Sequence, residues 1–78
     1  MSTGRLPALK AREVIRVLQN AGFSIVRTSG SHYRLVHDTD PTRQTTVPVH
    51  QGKDLARGTL RDIIKQAGLT VEEFLDLL

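Results

Sequence analysis

The side chains best suited to acid–base chemistry in this sequence are its three histidines, His32, His37 and His50. An imidazole gains and loses its proton near neutral pH, so it can act as a general acid or base. His32 follows directly on a Ser-Gly-Ser bend in the stretch RTSGSHYRL. It is either the centre of a site or an exposed polar residue at a hairpin.

Small and cationic residues surround His32 along the chain. Gly30 and Ser31 have little or no side chain, so a ligand can approach the backbone closely there. Arg27 and Arg34 flank the histidine on its two sides. These neighbours favour a positively charged pocket around His32, to which His50 can contribute.

A second pattern is a ladder of cations at every fourth position, which we call the cation ladder: Lys53, Arg57, Arg61 and Lys65. Like charges at this spacing on a helix repel each other by about 0.2–0.5 kcal/mol per pair. The ladder is therefore either a solvated helix face or a track for a phosphate backbone. Three further cations lie on the first predicted helix: Lys10, Arg12 and Arg16.

Other chemistries are disfavoured by the residue types present. The chain has no cysteine, which excludes disulfides and thiolate catalysis. No recognised metal-ligand spacing links the histidines with Asp38 and Asp40, so we predict no metal and no cofactor. The sequence also has neither a phosphate-binding glycine loop nor a nucleophile elbow.

Three strands are predicted from runs of β-branched and aromatic residues, at positions 23–28, 31–38 and 44–50. Ser29 and Gly30 form the turn between the first two strands, and Pro48 favours an edge position for the third. Alternation gives a core face with Tyr33, Leu35, Val47 and Val49. The opposite face then carries His32, Arg34 and His50, unless a bulge near Gly30 or Pro48 changes the parity.

Helices are predicted on both sides of the strands. Apolar residues at helical spacing indicate a first helix over positions 8–21 that ends at Gly22. A second helix is expected over 55–68, with Thr59 as its N-cap and Gly68 just beyond its end. A short third helix starts at the capping box of Thr70.

The size and charge of the chain fit one small domain. Seventy-eight residues, 38% of them hydrophobic, lie near the lower limit for a self-supporting core. We therefore expect a single α+β domain over positions 1–78, with a three-stranded antiparallel sheet, helices on one face and a flexible lead at 1–7. The net charge of +3 suits a polyanionic partner. Without a long apolar run, a cytoplasmic location is expected.

Four short segments give the sequence a family resemblance: AGF at 21–23, GSH at 30–32, VPVH at 47–50, and GTLRDI followed by QAGL between 58 and 69. In this order and spacing they resemble the HicA family of toxins from bacterial toxin–antitoxin modules. The likeness extends from about Leu6 to Leu78, although the segment HDTDPTRQT departs from it. It implies a fold similar to the double-stranded-RNA-binding domain.

The resemblance also implies a function. It predicts an endoribonuclease that cleaves single-stranded mRNA with His32 as its essential residue, and an antitoxin of the HicB type that covers the His32 region. Neither DNA nor a membrane is expected to bind the chain alone. Supporting residues for RNA or its phosphates are expected to be Arg27, Gly30, Ser31, Arg34, His50, Lys53, Arg57, Arg61 and Lys65.

Two other functions also fit the residues. A non-catalytic module of the same fold would bind duplex RNA by its shape and would tolerate the loss of His32. A protein-interaction module would instead pair an exposed sheet edge with a partner. Incubation of the protein with RNA, beside His32→Ala, separates the three functions.

Overall fold

The computed structural model describes residues 5–78 and confirms the predicted α+β fold. Its elements are α1 (Ala11–Asn20), β1 (Phe23–Ser29), β2 (His32–His37), β3 (Gln44–Pro48), α2 (Arg57–Gln66) and α3 (Val71–Asp76). The strands form one antiparallel sheet in the order β1-β2-β3, so β3 lies at an edge, as Pro48 indicated. No helix in this part of the chain is long and apolar enough to cross a membrane.

Glycine and threonine mark the helix ends. Gly22 follows α1 and Gly68 follows α2, at φ values of +98° and +75° that favour glycine. Thr70 caps α3, because its hydroxyl accepts the Glu73 N–H at 3.0 Å and its own N–H donates to the Glu73 carboxylate at 2.8 Å. These predictions are confirmed. Thr59 is not an N-cap, because α2 already contains it in its first turn.

The core is a single apolar layer between the sheet and the helices. Its fully buried side chains include Val14, Leu18, Leu35, Val47, Leu60, Ile63 and Phe74. Leu6 also belongs to it, with only 1% of its surface exposed. Leu6 therefore packs in the core, although it falls within the lead predicted at positions 1–7, of which residues 1–4 lie outside the described part of the chain.

Within the strands, the two faces of the sheet are assigned as alternation predicted. The prediction that His50 lies on the face opposite the core is wrong, because β3 ends at Pro48 and His50 lies beside the start of α1. Leu35 and Val47 are fully buried, and Tyr33 and Val49 pack against the core. The opposite face of the sheet, which we call the open face, therefore carries His32 and the other alternate residues of β2.

A β-bulge in β1 changes the face on which one arginine lies. The pairing of β1 with β2 shifts register between Ile25 and Arg27, so Val26 is the extra residue. Ile25 pairs with Leu35 on the core face, whereas Arg27 pairs with Arg34 on the open face. Without the bulge, Ile25 and Arg27 would share a face, so this irregularity brings the two arginines together.

One end of the molecule gathers the turn between β1 and β2 and the starts of both long helices; we call it the hairpin end. Ser31 O accepts the Val49 N–H at 2.6 Å, so the chain leaves β3 beside the turn. Six residues later, Leu55 N–H donates to Leu9 O at 2.8 Å, just before α1 and α2 begin.

The opposite end of the sheet, which we call the far end, receives the end of α2. There the Thr45 hydroxyl donates to Gln66 Oε1 at 2.7 Å, and Arg43 Nε donates to Ala67 O at 2.8 Å. Because Arg43 and Thr45 lie at the start of β3, α2 runs antiparallel to this strand. The N-terminus of α2 therefore points to the hairpin end.

Candidate active site at the hairpin end

A two-residue turn positions His32. Ser29 pairs directly with His32, which leaves Gly30 and Ser31 as the turn. Gly30, the first turn residue, has φ +57°, whereas Ser31, like the other non-glycine residues described, does not have positive φ. This combination is typical of a type II′ turn. A Cβ at Gly30 would meet no atom within 4 Å. Backbone conformation therefore requires this glycine, while the space around it stays open to a ligand.

His32 begins β2 as an exposed side chain on the open face. Its cross-strand neighbours are Ser29 on β1 and Pro48 on β3. Neither forms a hydrogen bond with the imidazole, and no other residue among 5–78 does so. Both ring nitrogens are therefore accessible to a ligand.

Two arginines on the open face add positive charge next to His32. Arg34 lies two residues further along β2, about 7 Å away at the rise of a strand, and Arg27 is its partner on β1. Arg34 Nη1 lies 3.4 Å from the Thr46 hydroxyl, which is a long hydrogen bond. The ion pair found within residues 5–78 joins other residues, Lys10 and Asp54. The charge of the two arginines is therefore not neutralised by a carboxylate.

The remaining predicted site residues separate into two groups. His50 is exposed and lines a cavity of about 240 Å³ beside Lys10 and Arg12, at the start of α1. Lys53 and Arg57 also belong to the hairpin end, because they lie on either side of Leu55.

The second group consists of Arg61 and Lys65, which continue along α2 towards the far end. At 1.5 Å per residue, Lys65 lies about 12 Å from Arg57 along the helix axis. Both are exposed on a helix that packs on the core side of the sheet, away from the open face. The cation ladder is thus divided between the two ends of the molecule.

His37 occupies a different environment at the far end. Its Nδ1 accepts the Thr39 N–H at 3.2 Å, and its ring meets Phe23 edge-on at a centroid distance of 5.1 Å. This histidine is held by its neighbours in a packed position. Within the described residues, no three His, Asp or Glu side chains are grouped as ligands of a metal ion.

A groove between α1 and the sheet was not assigned to the site by sequence reasoning. Arg12 and Arg16 line it together with Tyr33. The spacing of the two arginines, four residues apart on one helix, was a usable signal in the sequence. What the sequence did not show is that α1 leaves part of the sheet uncovered at this point.

A comparison with models of protein families identifies the family of this chain. A family model described as HicA toxin of bacterial toxin-antitoxin matches residues 11–69, a range that includes the turn, His32 and both long helices. No curated protein matches the sequence. Since the match covers more than half of the chain, the protein belongs to the HicA toxin family of bacterial toxin–antitoxin systems.

Proposed function

We propose that this toxin is a metal-independent endoribonuclease that cleaves single-stranded mRNA through His32. The observation that supports this most directly is the exposed imidazole directly after the turn, which has no hydrogen-bond partner among residues 5–78. It lies beside two arginines that no carboxylate in this part of the chain neutralises. A polyanion is the substrate that such a charge distribution attracts. Proton transfer is the chemistry that the histidine offers to it.

RNA carries its own nucleophile, the ribose 2′-hydroxyl, so the protein need not supply one. His32 takes the 2′-hydroxyl proton while the 2′-oxygen forms a bond to the adjacent phosphorus. The bond from phosphorus to the 5′-oxygen of the next nucleotide breaks, and this oxygen takes a proton from water. The products are a 2′,3′-cyclic phosphate and a 5′-hydroxyl end.

The two arginines of the open face act on the charge that grows during this reaction. The phosphate gains negative charge as the fifth oxygen approaches, and a guanidinium can donate two parallel hydrogen bonds to such a group. Arg27 and Arg34 thus stabilise the transition state, while Ser31 and the Gly30 backbone orient the phosphate. One acid–base group contributes about 10²–10⁴-fold to a rate. A single histidine therefore predicts a slow enzyme.

Cations at the hairpin end also hold the RNA strand. Lys53 and Arg57 lie there, whereas Arg61 and Lys65 run away from it. For a single strand, each phosphate contact contributes about −0.7 to the slope of log affinity against log salt. Exchanging Lys53 and Arg57 for glutamine should reduce the magnitude of this slope by about 1.4, and exchanging Arg61 and Lys65 should leave it unchanged.

The toxin–antitoxin family implies an antitoxin partner. We propose that this partner is of the HicB type and covers the His32 region of the open face. Within residues 5–78 no helix covers this face, because α1, α2 and α3 all pack on the core side of the sheet. Occupation of the open face would exclude RNA from the imidazole and from the arginines at once.

Cleavage of a defined RNA tests the mechanism. Wild-type protein should cut a single-stranded RNA in the presence of EDTA and should leave a cyclic phosphate at the cut. A 2′-deoxyribose at the cut site should block the reaction, because the nucleophile is missing. Undiminished cutting of the deoxy substrate would exclude the internal nucleophile, and loss of cutting in EDTA would require a metal.

His32→Ala distinguishes the enzyme from a non-catalytic module of the same fold. The variant should bind RNA with nearly unchanged affinity and should not cut it. Persistent cutting would exclude His32 as the acid–base group. A wild-type protein that binds duplex RNA and cuts no strand would instead be the duplex-binding module.

A further inference from the structure

The groove between α1 and the core face of the sheet forms an open cavity of about 260 Å³. Its lining includes Arg12, Ile15, Arg16, Ile25, Tyr33 and Val49. Pockets for drug-sized ligands usually enclose about 300–1,000 Å³. The groove is therefore of a size for one small group, such as a single nucleoside.

Two cations dominate one wall of the groove. Arg12 and Arg16 are exposed and lie four residues apart, so they project from the same side of α1. Neither forms an ion pair with a carboxylate in the described chain. Two like charges at this spacing repel each other, and an anion bound between them relieves this repulsion.

The other wall is apolar and partly solvent-exposed. Ile25 has 38% of its surface exposed, although it belongs to the core face of the sheet. Beside it lies the ring of Tyr33, which is half-buried and whose hydroxyl has no hydrogen-bond partner within residues 5–78. An aromatic ring beside an aliphatic surface suits a flat, partly apolar group. The two walls together fit a base attached to a phosphate.

The groove continues towards the candidate active site. It shares Arg12 and Val49 with the cavity that contains His50. Val49 N–H donates to the carbonyl of Ser31, the residue directly before His32. A strand that lies in the groove therefore reaches the turn next to His32 within a short distance.

We infer that this groove is a subsite for one nucleotide of the RNA near the cut, with its base on Tyr33 and its flanking phosphates on Arg12 and Arg16. The inference rests on the proposed ribonuclease function and extends it, since it assigns a binding site on the opposite side of the sheet from His32. Because the groove has a single aromatic ring, the site binds one base and is not a stacking platform for several bases. RNA fits the groove better than an acidic peptide does. Every RNA phosphate is linked through ribose to a planar base, whereas an acidic side chain carries no planar apolar group for the Tyr33 wall.

Binding of a short single-stranded RNA to full-length protein in a His32→Ala background tests the subsite without cleavage. Arg12→Gln with Arg16→Gln should weaken binding about tenfold or more and should reduce the magnitude of the salt slope by about 1.4. The matched control is Arg61→Gln with Lys65→Gln, which removes the same charge at the same spacing on α2. It should change the affinity less than twofold.

Tyr33→Leu tests the aromatic wall and should weaken binding of the same RNA about tenfold. Because Tyr33 is half-buried, thermal melting of each variant shows whether it is folded. The arginine pair is exposed and provides a test that does not depend on packing. Equal affinity of the arginine variant and its α2 control would overturn the inference.

Cleavage assays separate this inference from the proposed function. If wild-type protein cuts RNA and the Arg12/Arg16 variant shows the same KM and kcat, the subsite is wrong and the ribonuclease remains. If wild-type protein cuts nothing but His32→Ala protein binds RNA through Arg12 and Arg16, the ribonuclease is wrong and the groove remains only as a nucleotide-binding site. Unchanged RNA affinity with lost binding of the antitoxin would assign the groove to the antitoxin and overturn the inference.

Discussion

Strand β2 carries a histidine at each end, and the two side chains lie in very different surroundings. His37, at the far end, accepts a backbone N–H from Thr39 and packs edge-on against Phe23. His32, at the hairpin end, is exposed and has no such contact with any residue among 5–78. The same residue type is thus part of the packing at one end and free for a ligand at the other.

The arginines repeat this contrast. Arg43 at the far end lies 5.5 Å above the centre of the Phe23 ring and donates to Ala67 O at 2.8 Å. Arg27 and Arg34, near the hairpin end, face each other across two strands, where like charges directly opposite are destabilising. The far end uses its polar groups for stability. The hairpin end keeps a pair of like charges that costs stability, and the proposed anionic ligand would offset this cost.

Replacement of each histidine by alanine should give the largest difference between the two ends. His32→Ala should lower RNA cleavage by about 10²–10⁴-fold and change the free energy of unfolding by less than about 0.5 kcal/mol. His37→Ala should keep the cleavage rate and lower the free energy of unfolding by about 1–2 kcal/mol, because it loses the Phe23 contact and a hydrogen bond. Cleavage assays measure the rates, and urea denaturation measures the free energies of unfolding. Equal losses of stability in the two variants would contradict the division into a packed end and a binding end.

Replacement of a glycine by alanine at each end should produce the next largest effects on stability and cleavage. Gly22 has φ +98°, and an added Cβ would lie 3.0 Å from His37 Nε2, so Gly22→Ala should lower the free energy of unfolding by about 1–3 kcal/mol. Gly30 has φ +57° with open space around it, so Gly30→Ala should cost about 1 kcal/mol from the backbone alone. The second variant should lose more cleavage than the first, because its methyl group would occupy the open space beside the turn where we propose that RNA binds. Denaturation and cleavage of both variants decide this order.

Arginine substitutions should produce a smaller contrast in stability. Arg43→Gln should lower the free energy of unfolding by about 1–2 kcal/mol, since it removes a hydrogen bond and a cation–π contact. Arg34→Gln should leave stability equal or slightly higher, because it relieves the repulsion from Arg27. Its cleavage rate should fall instead. A lower stability of Arg34→Gln, measured by urea denaturation, would mean that this arginine also has a structural role.

The sequence predicts those parts of the fold that depend on local chemistry. Gly22, Gly68 and Thr70 mark helix ends through their own backbone and side-chain preferences. The alternation of Tyr33 and Leu35 with His32 assigned the faces of β2 correctly because no bulge interrupts this strand. Each of these features is determined by residues close together in the chain.

Features that depend on pairing between distant segments could not be predicted. The bulge at Val26 exists only relative to β2, so the sequence of β1 alone does not show that Arg27 joins Arg34. Burial of Leu6 depends on the helices against which it packs. The packed state of His37 depends on Phe23, fourteen residues earlier. Sequence reasoning selected His32 as the candidate through its turn and the family resemblance, but it did not show what distinguishes His32 physically from His37.

The smallest expected effect concerns the loop at the far end; it is present at neutral pH and disappears in acid. Hydrogen bonds from the Thr42 hydroxyl and backbone N–H, aided by the charges of Arg43 and His37, hold the pKa of Asp40 below its usual value of 3.8. A carboxyl with a lowered pKa in the folded state contributes stability above its unfolded pKa and loses this contribution as pH falls through the folded pKa. Thr42→Ala should therefore reduce stability at neutral pH, and the difference from wild type should vanish in strong acid.

NMR titration of the Asp40 carboxyl in both proteins checks the cause directly, because its pKa should rise towards 3.8 in Thr42→Ala. Thr46→Ala, on the open face, is the matched control and should leave this pKa unchanged. Cleavage at neutral pH should be the same in wild type and Thr42→Ala if the loop serves only the packing of the far end. A slower rate would mean that the loop between β2 and β3 contacts the RNA, and the division of the molecule into a packed end and a binding end would then fail.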